Sequence, residues 1–325
     1  MQQPSVSSGE VDFYISSIEK PCKTFYIIYG DPKARRPLVC AHGGPGAGHA
    51  YLKSFASLTA DYGIPVILYD QIGCGNSTLL PETIGDISFW TVDLFMAELD
   101  NLLKALNVED DYDFLGQSWG TILGNEYIIS RQPKGMKHYI ISNGVASGKL
   151  FGEATRKLIS ELPQESRDMI LKHESSKTYD DPEFQEASMV FYKRHVCRLD
   201  EWPEDLMQSL NLLDLHNNPT VYLTMFVVNF YKTVNHSLTW RRNGPSEFTM
   251  VGPLKDYTAI GRLHMVNVPT LIMNGEFDET TDSVNMPFFI EIPKVRWVTI
   301  ANASHMPWLE DPNRYFSVLA NFLLS

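Results

Sequence analysis

The sequence predicts a mostly parallel eight-stranded sheet with helices on both faces, broken by a long helical insertion. Three observations carry this expectation. Short apolar runs alternate with helical patterns up to residue 147, and the alternation returns from 251 to 325. Between 148 and 250 the chain reads as helical, with more charge and many aromatics. Each apolar run after the first thirty residues ends in a Gly-rich or polar cluster, where open α/β sheets hold their ligands.

The elements follow in order. Residues 11–17 and 24–29 are rich in β-branched and aromatic side chains, and Gly30-Asp31-Pro32 closes them as a hairpin-like pair. A five-residue strand at 37–41 ends in His42-Gly43-Gly44-Pro45-Gly46. Another at 65–69 ends in Asp70-Gln71-Ile72-Gly73-Cys74-Gly75. From 91 to 106, Val92, Phe95, Leu99, Leu102, Leu103 and Leu106 recur near a 3.6 period, which is an amphipathic helix. A strand at 112–115 leads straight into Gly116-Gln117-Ser118-Trp119-Gly120, with a helix over 121–130 and a strand at 139–142 behind it. After the insertion come strands at 268–273 and 296–300 and a closing helix at 313–324. The expected division is therefore a core of 1–147 and 251–325 with a helical cap of 148–250.

Composition excludes several function classes. With 325 residues, 44% of them hydrophobic and 20% charged, the chain has ordinary globular make-up. No apolar stretch approaches the roughly 18–20 residues of a membrane span. The opening MQQPSVSSGE has neither the charged nor the apolar region of a secretory signal. Four scattered cysteines form no CxxC and no metal-type pair, so they read as reduced thiols of a cytoplasmic protein. A net charge of −12, without a Lys/Arg run longer than two, disfavours nucleic acid. The nine histidines contain no HExxH and no close ligand pair, so neither metal nor cofactor is expected.

The chemistry sits at the strand ends. Gly116-Gln117-Ser118-Trp119-Gly120 fits G-x-S-x-G between a buried strand and a helix, the setting of a nucleophile elbow. A serine hydroxyl needs a base, and the base needs a carboxylate to orient it. In the chain order serine, acid, histidine, Asp278 and His305 each stand just past a strand. Glu276 and His264 are the nearest competitors. The oxyanion formed by attack requires backbone donors. The amide of Trp119, next to the nucleophile, supplies one, and the amide of Gly44 in the His42–Gly46 loop is the candidate for the other. That loop has neither the lysine nor the spacing of a phosphate-binding loop.

Taken together, HGGPGAGHAYL at 42–52, DQIGCGNS at 70–77, GQSWG at 116–120, NGPSEFT at 243–249, GEFD at 275–278 and SHMPWLED at 304–311 resemble the proline iminopeptidase family of α/β-hydrolases. The blocks span nearly the whole chain in family order. The resemblance implies a core sheet under a helical cap and release of N-terminal proline or similar residues from small peptides and amides. It also implies a cap carboxylate that binds the substrate's free amine. Glu247 matches the motif that carries it, and Glu201 and Glu204 are candidates for a second, although Glu201–Glu204 also reads as a helix start. Asn76 departs from the pattern, because the family commonly has arginine there. The competing functional readings are a hydrolase whose cap serves an ester, amide or lactone of a specialised metabolite, and a non-catalytic binding protein of the same fold.

Overall fold

The structure, a computed structural model, describes residues 5–179, 181–213, 220–227, 248, 250 and 252–325. Its centre is one eight-stranded sheet in the order β1-β2-β4-β3-β5-β6-β7-β8. The strands are β1 Val6–Phe13, β2 Cys22–Tyr29, β3 Leu38–Ala41, β4 Val66–Tyr69, β5 Tyr112–Gln117, β6 Met136–Ser142, β7 Thr270–Gly275 and β8 Val295–Ile300. β1 and β2 pair antiparallel, β2 pairs antiparallel with β4, and every other pairing is parallel.

The central strands are short and apolar because both faces are covered. Period-two alternation still sorts their side chains. Val39, Ile67, Phe114 and Ile141 enter one core, while Leu38, Cys40, Leu68, Leu115 and Ile140 enter the other. Helices α1 (Ala56–Tyr62), α2 (Val92–Ala105), α3 (Trp119–Arg131), α8 (Asp282–Glu291), α9 (Pro307–Glu310) and α10 (Pro312–Leu323) belong to these layers. Thr91 caps α2, its side chain accepting the Leu94 amide at 3.4 Å.

Between β6 and β7 lie α4 (Gly148–Ser160), α5 (Gln164–Ser176), α6 (Pro182–His195) and α7 (Glu204–Leu213). Ile159 of α4, Ile170 of α5, Phe184 and Phe191 of α6, and Phe248 form an apolar cluster apart from the sheet, whereas Phe151 of α4 and Leu206 of α7 pack into the two sheet cores. No helix among the described residues is long and apolar enough to cross a membrane.

The largest departure from expectation is β1, which runs over Val6–Phe13 and not over 11–17. Its register, Val6 opposite Tyr29 through Phe13 opposite Cys22, is set by the partner strand. Most of its residues are exposed at a sheet edge, so they carry no apolar alternation to read.

Candidate active site

Ser118 stands between the end of β5 and the first residue of α3, with φ 51° and ψ −116°. Such a conformation costs about 1–3 kcal/mol in a residue with a side chain, and a rigid surround must impose it. Gly116 and Gly120 provide that surround. A side chain at Gly116 would run into the Gly120 backbone, and one at Gly120 into the Ala41 carbonyl. The glycines thus let strand and helix meet closely enough to lift the serine out of the sheet.

His305 and Asp278 are both buried, and His305 Nδ1 donates to Asp278 Oδ1 at 2.7 Å. The carboxylate takes two further donors, Thr280 N on Oδ1 at 2.9 Å and Asn143 Nδ2 on Oδ2 at 2.5 Å. The loop bearing His305 is held by Glu310, which accepts Ser304 N at 2.6 Å and Ser304 Oγ at 2.7 Å. The two competitors lie elsewhere. Glu276 is exposed and accepts the Asn302 amide at 2.9 Å, and His264 is exposed in a short turn.

Gly44, Ser118 and His305 line one cavity, walled on its other side by Leu206, Leu210 and Leu213 of α7. Trp119 opens α3, so its amide is among those with no intrahelical acceptor, at the positive end of the helix dipole. Its indole is anchored too: Nε1 donates to Gln71 Oε1 at 2.8 Å, and the ring meets Phe95 edge-on. Gly43 donates its amide to Tyr51 Oη at 2.7 Å, which leaves Gly44, at φ +108°, as the neighbouring amide beside the cavity.

The loop residues around this point form a buried scaffold. Gln71 N donates to His42 Nε2 at 3.0 Å, and Gln71 Nε2 to the His42 carbonyl at 3.1 Å. Burial pushes the His42 pKa down to about 4, so the ring is neutral at physiological pH. Burial opposes the charge of Asp70, yet its bonds to His49 Nδ1 at 2.8 Å and the Asn76 amide at 2.8 Å hold its pKa below the ordinary value. Asn76 therefore contributes here through its backbone. Glu98 beneath the loop accepts Thr24 Oγ1 at 2.5 Å and Ile72 N at 2.8 Å, and burial pushes its pKa up to about 8.

Four residues near the site escaped sequence reasoning. Tyr51, Gln117 and Asn143 contact it directly through hydrogen bonds. Glu279 is buried with Oε1 3.8 Å from His305 Nε2. The signal for Asn143 was present, since it directly follows β6 at the same end of the sheet as the serine. Nothing distinguishes Glu279 from any other acid in a turn.

Of the expected amine-binding carboxylates, Glu247 lies outside the described residues. Glu201 and Glu204 are exposed and do not line the cavity, so the structure does not bring them to the site. Glu204 opens α7, where its charge meets the helix N-terminus. Among the described residues, His173, Asp181 and Glu183 on the insertion have metal-ligand spacing. Asp181 already caps α6 and Glu183 is paired with Lys172 at 3.0 Å, so both carboxylates have partners.

The fold is shared with known proteins. The alpha/beta hydrolase fold family matches residues 36–312, and the chain is a member of that class. It is 32% identical over 304 residues to a proline iminopeptidase of Lactobacillus delbrueckii subsp. lactis, covering 93% of this chain and 95% of the relative. The crystal structure of a Mycobacterium smegmatis proline iminopeptidase superposes with a TM-score of 0.83 at 39% identity, over 98% and 97% of the two chains. The structure of VinJ does so with a TM-score of 0.85 at 37% identity, over 97% and 98%. Within the α/β-hydrolases, the chain belongs to the proline iminopeptidase family.

Proposed function

We propose that the protein is a serine aminopeptidase that releases N-terminal residues, proline or similar, from small peptides and amides. The supporting observation is the cavity shared by Ser118 and His305, with Asp278 2.7 Å behind the imidazole. Ser118 Oγ attacks the carbonyl carbon while His305 Nε2 takes its proton. The amides of Gly44 and Trp119 receive the oxyanion, and removal of one such donor typically costs roughly 10²–10³ in turnover. His305 returns the proton to the leaving amine. Water then attacks the acyl-enzyme, giving its proton to His305, and Ser118 leaves with that proton. Asp278 fixes the ring and stabilises the imidazolium. No step calls on a metal or cofactor.

Selectivity for a free amine follows from buried negative charge. Glu279 is not among the residues lining the cavity, but its Oε1 is 3.8 Å from His305 Nε2, and we assign to it a charge-assisted bond with the α-ammonium next to the attacked carbonyl. An N-blocked substrate leaves that carboxylate buried beside an amide, which penalises it. Glu247, in the family motif, joins as the second anchor. Residues 148–250 act as the cap, in which the leucines of α7 set the size of the acyl residue. The enzyme works in the cytoplasm on small soluble substrates.

The test is hydrolysis of proline and alanine arylamides beside their N-acetylated forms and a short acyl ester. The free-amine substrates are cleaved, the acetylated ones are not, and Ser118→Ala abolishes cleavage. Glu279→Gln raises KM for the free-amine substrates at least tenfold and leaves the ester within a few-fold. Ester cleavage with no free-amine preference, indifferent to Glu279→Gln and Glu247→Gln, would favour the specialised-metabolite reading.

A further inference from the structure

We infer that Tyr51 and Gln117 are positioning residues that join the oxyanion loop to the catalytic base through one unidirectional chain of hydrogen bonds. The direction follows from the donors. The contact of Gly43 is made by its backbone nitrogen, which can only donate, so Tyr51 Oη accepts it at 2.7 Å. The tyrosine proton then points to Gln117 Oε1, 2.5 Å away. This fixes the carboxamide, whose Nε2 is left facing His305 Nε2 at 3.1 Å. An amide nitrogen only donates, so His305 Nε2 accepts, and the ring proton is on Nδ1, donated to Asp278 Oδ1 at 2.7 Å. Gly43, Tyr51, Gln117 and His305 therefore donate in sequence, each to the next, and Asp278 accepts the last bond.

Two consequences follow. The chain holds the imidazole in the one neutral tautomer that can accept a proton from Ser118, before any substrate arrives. It also opposes protonation of Nε2, because an imidazolium there would face the Gln117 donor with a second N–H. Gln117 must yield Nε2 to the serine hydroxyl during attack, and the Tyr51 hydroxyl limits how far it can turn away. At the other end, the same tyrosine holds Gly43, the residue before the proposed oxyanion donor Gly44. Gln117 occupies the variable place of the G-x-S-x-G motif, so the motif itself gives it no role.

This inference rests on His305 being the base, and its test is read independently of substrate. The ring nitrogens of ¹⁵N-histidine-labelled protein are followed by NMR against pH, with His305 assigned by difference from His305→Ala. Among the described residues, the carboxyl groups of Asp278 and Glu279 lie against the ring, and both remain in every variant. Wild type shows the Nδ1–H tautomer at high pH. Gln117→Leu raises the His305 pKa by roughly one unit, the scale of one net hydrogen bond. Gln117→Glu, which keeps the shape, raises it further. Tyr51→Phe shifts it in the same direction, and Tyr51→Phe with Gln117→Leu shifts it no more than Gln117→Leu alone. The acid limb of kcat/KM for the short ester moves with the NMR value. An Nε2–H tautomer in wild type, or an unchanged pKa in folded Gln117→Leu and Gln117→Glu, would overturn the chain. Failure of the arylamide assay alone would overturn only the substrate assignment.

Discussion

The backbone carbonyl of His195, the last residue of α6, accepts the amide of His305 at 3.2 Å and so ties the helical insertion to the loop carrying the base. The same carbonyl accepts the Glu279 amide at 3.3 Å, and His195 Nδ1 donates to the Phe277 carbonyl at 2.8 Å. One residue of the insertion thus clamps both loops that follow β7 and β8. Burial lowers the His195 pKa, while the bond to the Phe277 carbonyl acts the other way.

His195→Ala keeps the carbonyl and removes the ring contact. The expected result is a fall in kcat/KM of about 2–13-fold, the scale of one net hydrogen bond. Amide exchange should rise at 276–281 and 303–306. Unchanged exchange there would show that the ring does not steady the loops.

Asn143 is the second support of Asp278, and its φ of 55° means that alanine would add backbone strain to the loss of the amide. Asn143→Gly removes the donor alone. A buried charged acceptor left without its donor costs about 1–3 kcal/mol, so kcat/KM should drop roughly 5–150-fold. Steady-state kinetics on the short ester and on proline arylamide should show the same loss, because the defect lies in the base and not in substrate binding.

Glu98 gives a pH signature in stability. Its folded pKa, about 8, is above the unfolded carboxylate value of 4.5, so the folded state holds a proton that the unfolded state releases between these values. Stability must therefore fall as pH rises through that window and level off above it. Both known donors face Oε1, so the proton belongs on Oε2. Glu98→Gln removes this slope. Denaturant unfolding of the two proteins from pH 5 to 9 should show the wild type losing ground to the variant with rising pH, and parallel curves would refute the buried acid.

Gly120→Ala tests the elbow. The added methyl meets the Ala41 carbonyl, which belongs to a central strand and cannot yield. Activity should fall at least tenfold together with the melting temperature. A variant that melts like the wild type and turns over normally would mean that the strand–helix junction has slack.

The sheet was readable because its central strands are short apolar runs with chemistry at their carboxyl ends, as in Leu38–Ala41 before His42 and Thr270–Gly275 before Asp278. Chain order then singled out Ser118, Asp278 and His305. The edge hairpin was less readable, since Val6–Phe13 takes its register from β2 and not from a pattern of its own. Of the supporting polar residues, only Asn143, just past β6, left a signal in the sequence. Tyr51, Gln117, Asn143 and Glu279 act through partners as distant in sequence as the 188 residues between Gln117 and His305, and only the folded sheet brings these together. Glu201 illustrates the reverse: an acid in the expected segment of the insertion that faces solvent.

The central claim is that Ser118 is a nucleophile activated by His305. The most direct measurement is covalent labelling with a fluorophosphonate, read by intact mass and peptide mapping. A single adduct on Ser118, absent in Ser118→Ala and slowed at least a hundredfold in His305→Ala, is the expected result. No adduct in the folded wild-type protein, or an adduct on another residue that survives Ser118→Ala, would contradict it.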